Sequence, residues 1–437
     1  MKLSVIGCGY LGVVHAACMT TLGHDVVGID VDQPKIDKLR AGEAPFFEPG
    51  LPALLGEARA TGRLTFSTDI ADAGGSTVHF ICVGTPQKRG EYAADLAYVD
   101  AAFEALAPHL GHGDLIVGKS TVPVGTAERL ASWLGELDVD VTLVWNPEFL
   151  REGFAVKDTL HPDRLVYGVP GGPAGEVAAA TMDQVYAAPL SHHTPRVVTD
   201  YATAELVKVA ANSFLATKIS FINAMAELCE ATGADVTHLA DAIGHDARIG
   251  RRFLDAGLGF GGGCLPKDIR AFMARAGELG ADQTLSFLRE VDSINLRRRA
   301  RMVDLAREVC EGSIIDRRIT VLGAAFKPNS DDTRDSPALN VAEQMRLQGA
   351  QVTVTDPQAI PNARRTFPDL HFVEDLQEAV TGAELVLLLT EWPEYVALDP
   401  KELGNIVSDR HMLDGRNVLD PAQWRAADWT YRALGRP

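Results

Sequence analysis

Cys264 stands within the run Gly257-Leu258-Gly259-Phe260-Gly261-Gly262-Gly263-Cys264-Leu265-Pro266-Lys267-Asp268, in which five glycines precede the thiol and charges of both signs follow it. A loop this bare lets backbone and sulfur come right up to a bound molecule. Lys267 would favour the thiolate, and Asp268, four residues from the thiol, would orient a water or another group. The spacing leaves two readings open: a nucleophile, or an unreactive cysteine in a flexible loop. The other cysteines, Cys8, Cys18, Cys82, Cys229 and Cys310, fall in helices, strands or a variable turn position, form no C-x-x-C pair, and point to reduced thiols. His192 and His193 are adjacent rather than four apart and have no cysteine or histidine cluster beside them, so no metal site is expected.

Two further segments place polar residues where regular structure does not call for them. One is Asn146-Pro147-Glu148-Phe149-Leu150-Arg151-Glu152, directly after an apolar run; the other is Lys208 with Asn212, four apart on one helix face. At the start of the chain, residues 3–6 read as a strand that enters Gly7-Cys8-Gly9-Tyr10-Leu11-Gly12, then a helical stretch and a second strand ending at Asp30. That order is a dinucleotide-binding turn: Gly7 allows the tight bend, Gly9 the approach of backbone to a pyrophosphate, and Gly12 close packing of helix on strand. Asp30 stands where a carboxylate accepts from a ribose hydroxyl and repels the extra phosphate of NADP, which makes NAD the expected cofactor. The alternative is a glycine-rich turn with Asp30 capping a loop, and Lys35 either holds Asp30 in place or is solvated. Residues 113–120, G-D-L-I-V-G-K-S, formally satisfy a triphosphate-binding pattern, but residues 115–117 read as a buried strand rather than an exposed loop.

The elements that must position these groups follow from the apolar periodicity. Residues 3–6, 26–29, 78–83, 115–117 and 141–145 read as parallel strands joined by helical crossovers. Strand signal vanishes from Tyr201 to about Cys310, where helices are expected over 204–231 and 285–309. Alternation resumes with strands at 319–322, 352–355 and 385–389 and a helix over 336–348, so the chain is α/β at both ends with a helical middle. The basic run Arg297, Arg298, Arg299 and Arg301 reads as a solvated helix face. A length of 437 residues suggests two or three domains, and no repeat or low-complexity tract is present. The formal charge of −18 disfavours nucleic acid and anionic membranes as partners. No apolar run is long enough to span a bilayer and the start MKLSVIGCGY lacks the parts of a signal peptide, so a cytoplasmic protein is expected.

Nine ordered blocks resemble the UDP-glucose/GDP-mannose dehydrogenase family over almost the full length: GCGYLG at Gly7, CVGTP at Cys82, GKSTVPVGT at Gly118, NPEFLREG at Asn146, ELVKVAANSFLATKISFINA at Glu205, RIGRRFL at Arg248, GFGGGCLPKD at Gly259, FKPNSDDTRDSP at Phe326 and DGRN at Asp414. The resemblance implies an α/β fold of two Rossmann-like domains joined by a helical middle domain with a long connecting helix. Residues 1–200 would bind NAD, 201–312 would carry the cysteine loop and a dimerisation surface, and 313–437 would bind a nucleotide sugar, with the reacting groups at a domain junction. RIGRRFL and LTEWPEY, at Leu389, favour UDP-glucose; GDP-mannose or a UDP-N-acetylhexosamine is the alternative substrate within the same family. One departure is Gly263, where the family usually has Ser before the catalytic cysteine.

The activity implied is NAD-dependent oxidation of the sugar C6 alcohol to aldehyde and then to carboxylate, giving UDP-glucuronate for polysaccharide biosynthesis. By resemblance Lys208 and Asn212 stabilise the oxyanion, Cys264 forms a thiohemiacetal and then a thioester, and Asp268, Thr121 and Glu148 position or activate the hydrolytic water. Cofactor contacts implied are Gly7, Gly9, Tyr10, Leu11, Gly12, Asp30, Lys35, Thr85, Thr121, Arg334 and Glu152, the last near the nicotinamide. Substrate contacts implied are Glu148, Phe149, Leu150, Lys208, Asn212, Phe253, Gly261, Lys327 and Arg416. Arg248 would reach a diphosphate across the interface of a homodimer.

Overall fold

A parallel strand covered by helices on both faces has to be apolar at odd and even positions alike. The first strand, β1 (Lys2–Ile6), buries Leu3 and Val5 in one layer of side chains and Ile6 in another. The same split recurs in β4 (Val78–Ile81), with Phe80 against Ile81, and in β5 (Leu115–Gly118), with Val117 against Ile116. The computed structural model describes residues 1–137 and 139–437. These form two compact units, Met1–Ala211 with Arg270–Gly280, and Asn212–Ile269 with Ala281–Pro437.

The first unit is built on eight strands. Besides β1, β4 and β5 they are β2 (Asp25–Ile29), β3 (Leu64–Ser67), β6 (Thr142–Trp145), β7 (Leu165–Gly168) and β8 (Arg196–Thr199). Their order is β3-β2-β1-β4-β5-β6-β7-β8. All neighbours are parallel except β6 and β7, which run antiparallel. The first six strands therefore follow the doubly wound dinucleotide-binding order. The strands expected at 3–6, 26–29, 115–117 and 141–145 stand within one residue of their observed ends, whereas the run expected at 78–83 leaves the sheet after Ile81. Three strands had no counterpart in the reading of the sequence: β3, β7 and β8. Each is four residues long; β8 is an edge whose Val197 and Val198 are exposed, whereas β7 is buried throughout and β3 at all but Thr65, so these two are short buried runs that the reading passed over.

The second unit carries β9 (Arg318–Leu322), β10 (Gln351–Thr355), β11 (His371–Phe372), β12 (Leu385–Leu388), β13 (His411–Asp414) and β14 (Thr430–Ala433). They lie in the order β11-β10-β9-β12-β13-β14, all parallel. The helices expected over 204–231 and 285–309 are Tyr201–Thr232 and Phe287–Val309, with no strand among the described residues between them. The long helix Tyr201–Thr232 buries polar residues beside apolar ones such as Val209, Ala216 and Ile222, and leaves large apolar residues outside. Glu205, Lys208, Asn212, Ser220 and Asn223 are buried, while Phe214, Phe221 and Leu228 are 66%, 49% and 57% exposed.

The arginine run is not a solvated face. Arg298 is 0% and Arg299 3% exposed. They join Asn295 and Met302 in an i, i+3, i+4, i+7 stripe that turns inward. Arg298 reaches Glu230 at 3.0 Å and Arg299 reaches Asp335 at 2.8 Å; Arg301 also meets Glu230, at 2.6 Å. Arg297 alone of the four stands nearly half exposed, paired with Glu290. Burial by itself would push the Glu230 carboxyl up, but Arg301 and Arg298 outweigh it and hold the group below its ordinary value. A buried guanidinium left without its carboxylate is the expensive case, on the order of 3 kcal/mol, whereas an exposed pair is worth well under ~1 kcal/mol. Glu230→Gln is therefore expected to lower the unfolding midpoint markedly and Arg297→Ala scarcely at all, read by urea titration. Because the folded value is depressed, the carboxylate's contribution is complete above its ordinary value of 4.5 and is lost as pH falls through the lower folded value. The wild type should accordingly lose more stability than Glu230→Gln on acidification, and an equal loss would count against the pair.

Candidate active site

In the first unit β1 leads straight into the glycine turn. Gly7 has φ +94°, and a Cβ on Gly12 would lie 1.8 Å from the Gly7 carbonyl oxygen, so helix Tyr10–Thr21 can close on the strand only with glycine at residue 12. A Cβ on Gly9 would meet nothing within 4 Å. Gly9 caps the helix without a side-chain bond, leaving an open face where helix N–H groups and the positive end of the dipole can receive phosphate. Asp30, at the end of β2, accepts from Cys8 N at 2.8 Å and Asp32 N at 3.0 Å and pairs with Lys35 Nζ at 2.9 Å. It thus ties the turn together, and Lys35 holds it rather than standing in solvent. These residues suit a dinucleotide: open backbone donors at the turn and a carboxylate anchored just past the carboxyl end of β2. Tyr10 donates to Glu48, Leu11 packs against the core, and Thr85 Oγ1 donates to the Thr121 carbonyl at 2.7 Å.

The segment after β6 is drawn inward. Glu148 pairs with Lys208 at 2.9 Å and accepts from Leu150 N at 2.8 Å. The Phe149 ring lies under Arg164 at 3.8 Å and within 5.7 Å of Lys208 Nζ, and Glu152 is buried. Lys119 was not singled out from the sequence. It is buried, donates to Asn146 Oδ1 at 3.0 Å and to the Tyr186 hydroxyl at 3.3 Å, and burial pulls its ammonium down to about 8. A lysine directly after the apolar run at 115–118 was the available signal. Those residues form a strand buried throughout, so the triphosphate-loop pattern is an accident of spelling.

In the second unit the exposed Cys264 immediately precedes helix Leu265–Glu278, and Asp268 N donates to the Cys264 carbonyl at 2.9 Å. The buried Asp268 carboxylate accepts from Asn212 Nδ2 at 2.7 Å and meets Lys267 Nζ at 2.8 Å. The glycines before the thiol are close-packed rather than slack. A Cβ on Gly259 would fall 2.1 Å from Asn295 Oδ1, and one on Gly263 would fall 2.2 Å from the centre of the Arg334 guanidinium. Asn295 clamps Phe260 through both N–H and carbonyl, at 2.7 and 2.9 Å. The absent side chain at Gly263 is thus space that Arg334 fills. Arg416 donates to the carbonyls of Leu389, Gly259 and Phe326 at 2.7, 3.2 and 3.2 Å, gathering three motif loops. It lines a cavity of 320 Å³ with Leu254, Asp255, Gly259 and Glu391. Lys327 Nζ lies 5.3 Å from the Phe326 ring, Gly261 is buried against the Asp335 carbonyl, and Phe253 is held at φ +65°. Arg248 is exposed, paired with Asp246 at 2.6 Å, and follows no other site residue inward.

Comparison with known proteins agrees with this arrangement. Residues 1–189 match the NAD binding domain of the UDP-glucose/GDP-mannose dehydrogenase family, residues 202–297 its central domain and residues 320–421 its UDP binding domain. A UDP-glucose 6-dehydrogenase of Rhizobium meliloti is 42% identical with all of both chains covered. Among solved structures, a UDP-glucose dehydrogenase of Pyrobaculum islandicum shares 40% identity at a TM-score of 0.90, covering 100% of this chain and 98% of its own. A UDP-D-ManNAc dehydrogenase of Pyrococcus horikoshii shares 29% at 0.86, covering 100% and 99%. With its glycine turn, thiol loop and both sheets matched from end to end, the chain belongs to the UDP-glucose/GDP-mannose dehydrogenase family, a family of NAD-dependent oxidoreductases.

Proposed function

We propose that this chain is a UDP-glucose 6-dehydrogenase that carries the sugar C6 alcohol to the carboxylate through a thioester on Cys264. The observation that carries the reading is the arrangement of residues 264–268: one helical turn separates thiol from carboxylate, and Asp268 is buried and held by Asn212 and Lys267. One nucleotide sugar, two NAD⁺ and one water give UDP-glucuronate, two NADH and three protons. Bound at the glycine turn, NAD supplies the two-electron acceptor for both oxidations.

Lys208, kept in place by Glu148, and Asn212 stabilise the C6 oxyanion as the hydroxyl proton leaves. Cys264 Sγ then adds to the aldehyde carbon while the carbonyl oxygen takes a proton, which retains the reactive aldehyde on the protein. The start of helix Leu265–Glu278 puts partial positive charge beside that sulfur. After the second oxidation, water held by Thr121, Glu148 and Asp268 attacks the thioester carbonyl, the C–S bond breaks, and sulfur leaves as thiolate. Tyr10, Leu11, Asp30, Lys35, Thr85, Thr121, Glu152 and Arg334 hold the cofactor. Phe149, Leu150, Phe253, Gly261, Lys327 and Arg416 hold the nucleotide sugar. A homodimer is supported by the exposed Phe214, Phe221 and Leu228, seven residues apart along the long helix, and by Arg248, free of its own chain's site residues and suited to a partner's diphosphate. A cytoplasmic setting is supported by six unpaired cysteines.

Incubating the protein with limiting UDP-glucose and excess NAD should yield two NADH per sugar by absorbance; a ratio of one would end the thioester reading. Cys264→Ala should lose UDP-glucuronate formation by roughly three orders of magnitude or more while NAD binding persists, as loss of a nucleophile does. Near-normal product from that variant would refute covalent catalysis. NADP should serve poorly, and Asp30→Ala should narrow the gap by about tenfold, the effect of removing one charge repulsion; equal use of both cofactors by the wild type would contradict the role given to Asp30. Phe221→Glu should shift the particle mass in light scattering from dimer to monomer, and a wild type already monomeric would rule the dimer out.

A further inference from the structure

Glu48 lies outside every segment used above, yet it is 2% exposed and its carboxylate is shared among donors from two of those segments. Oε2 accepts the Tyr10 hydroxyl and Gly153 N, the latter at 2.6 Å, and Oε1 accepts Ala155 N at 2.7 Å. The Tyr10 hydroxyl in turn accepts from Gly153 N at 2.9 Å. Tyr10 is the first residue of the helix that opens at the glycine turn. Gly153 directly follows Glu152, and Ala155 begins helix Ala155–Leu160, whose capping residue Phe154 supplies no side-chain bond.

We propose that Glu48 is a positioning residue that fastens the dinucleotide turn to the acidic segment 148–152, so that cofactor and sugar-side carboxylates keep one spacing. The proposal rests on the reading of that turn as the NAD site. In the irregular backbone at residues 153–155, Phe154 N finds Arg151 O, while the N–H groups of Gly153 and Ala155 meet the Glu48 carboxylate, which also takes Tyr10. Phe46, two residues earlier, lies against the Tyr10 ring with centroids 4.6 Å apart, so one short loop grips that side chain by ring and by hydroxyl. Burial and the bond to Glu48 keep the Tyr10 hydroxyl protonated, hence a donor. Had the carboxylate served packing alone, its donors could have come from one element. Instead they come from the residue that starts the cofactor helix and from the residue after Glu152.

The test measures NAD binding by calorimetry without sugar, then turnover with UDP-glucose, for the full-length wild type, Glu48→Gln, Tyr10→Phe and the double variant. Glu48→Gln should weaken NAD about tenfold, as loss of charge-assisted bonds does. Tyr10→Phe, which leaves both backbone bonds of Glu48 and the Tyr10 ring and backbone intact as cofactor contacts, should weaken it about threefold, and the double variant should bind no worse than Glu48→Gln, because the hydroxyl it removes is bonded to the carboxylate. A Glu48→Gln protein that melts earlier but binds NAD like the wild type would overturn the proposal, as would strictly additive losses. Should Glu48→Gln fail to fold, Tyr10→Phe decides: weakened NAD binding supports the proposal and unchanged binding overturns it. Because NAD affinity is read without sugar, a protein inert toward UDP-glucose would count against the substrate reading and leave this result standing.

Discussion

Backbone that leaves a parallel strand and does not enter a ladder carries N–H groups that must find acceptors, and in this chain buried or largely buried carboxylates take them. Asp30 accepts from Cys8 N and Asp32 N; Glu48 from Gly153 N and Ala155 N; Glu205 from Gly125 N and Ala127 N. In the second unit Asp414 accepts from Arg416 N and Leu419 N. Every one of these loops carries a motif residue or borders one. The arrangement has a cost, visible at Glu205, where burial pushes the carboxyl up to about 7 although backbone N–H bonds and Arg275 oppose it. A carboxylate is nonetheless suited to the task because it accepts from several donors at once and holds them at charge-assisted distances.

The same need for partners draws polar groups to the inner side of the long helix, among buried apolar residues. Glu205, Lys208, Asn212 and Asn223 face inward because each has a fixed partner there: the backbone at residues 125–127, Glu148, Asp268 and Gly257 N. A helix that spends its inner face on polar chemistry has fewer inward positions for large apolar groups, and Phe214, Phe221 and Leu228 stand outside. The exposed stripe and the buried polar row are thus two aspects of one allocation along the helix. Helix Phe287–Val309 likewise takes charges inward, Arg298 against Glu230 and Arg299 against Asp335.

Legibility in the sequence tracked how local the physics is. The glycine turn could be read because its glycines, its helix and Asp30 lie within one short stretch, and the thiol loop because cysteine, lysine and aspartate fall within one helical turn. Strand β8 was not readable because it is an exposed edge; β3 and β7 are no shorter than the strands that were read, β4, β5 and β6, and were simply passed over. Glu48 and Lys119 were missed for a different reason: their partners come from segments far away in sequence, Gly153 and Ala155 for the one, Asn146 and Tyr186 for the other. The arginine run was misread because charge was weighed and period was not; with Asn295 and Met302 it completes an inward stripe.

The turns after the first strands of the two sheets, β1 and β9, match atom for atom at their start. After β1 stands Gly7, φ +94°, its N–H bonded to Ile29 O; after β9 stands Gly323, φ +115°, its N–H bonded to Thr355 O, both at 2.8 Å. Asp30 follows β2 and takes Cys8 N; Asp356 follows β10 and takes Ala324 N and Ala325 N. From there the two turns diverge. Ala325 occupies the place of Gly9, and its carbonyl is taken by Thr390 Oγ1 at 2.7 Å. Asp356 also accepts from Trp392 Nε1, Gln358 N and Ala359 N, so both oxygens are spent and the group is buried. A ribose hydroxyl has no free oxygen to meet there, and a pyrophosphate would confront a methyl group where the first unit offers bare backbone. The same turn is therefore open in the first unit, which matches an NAD binding domain, and closed into a structural knot in the second.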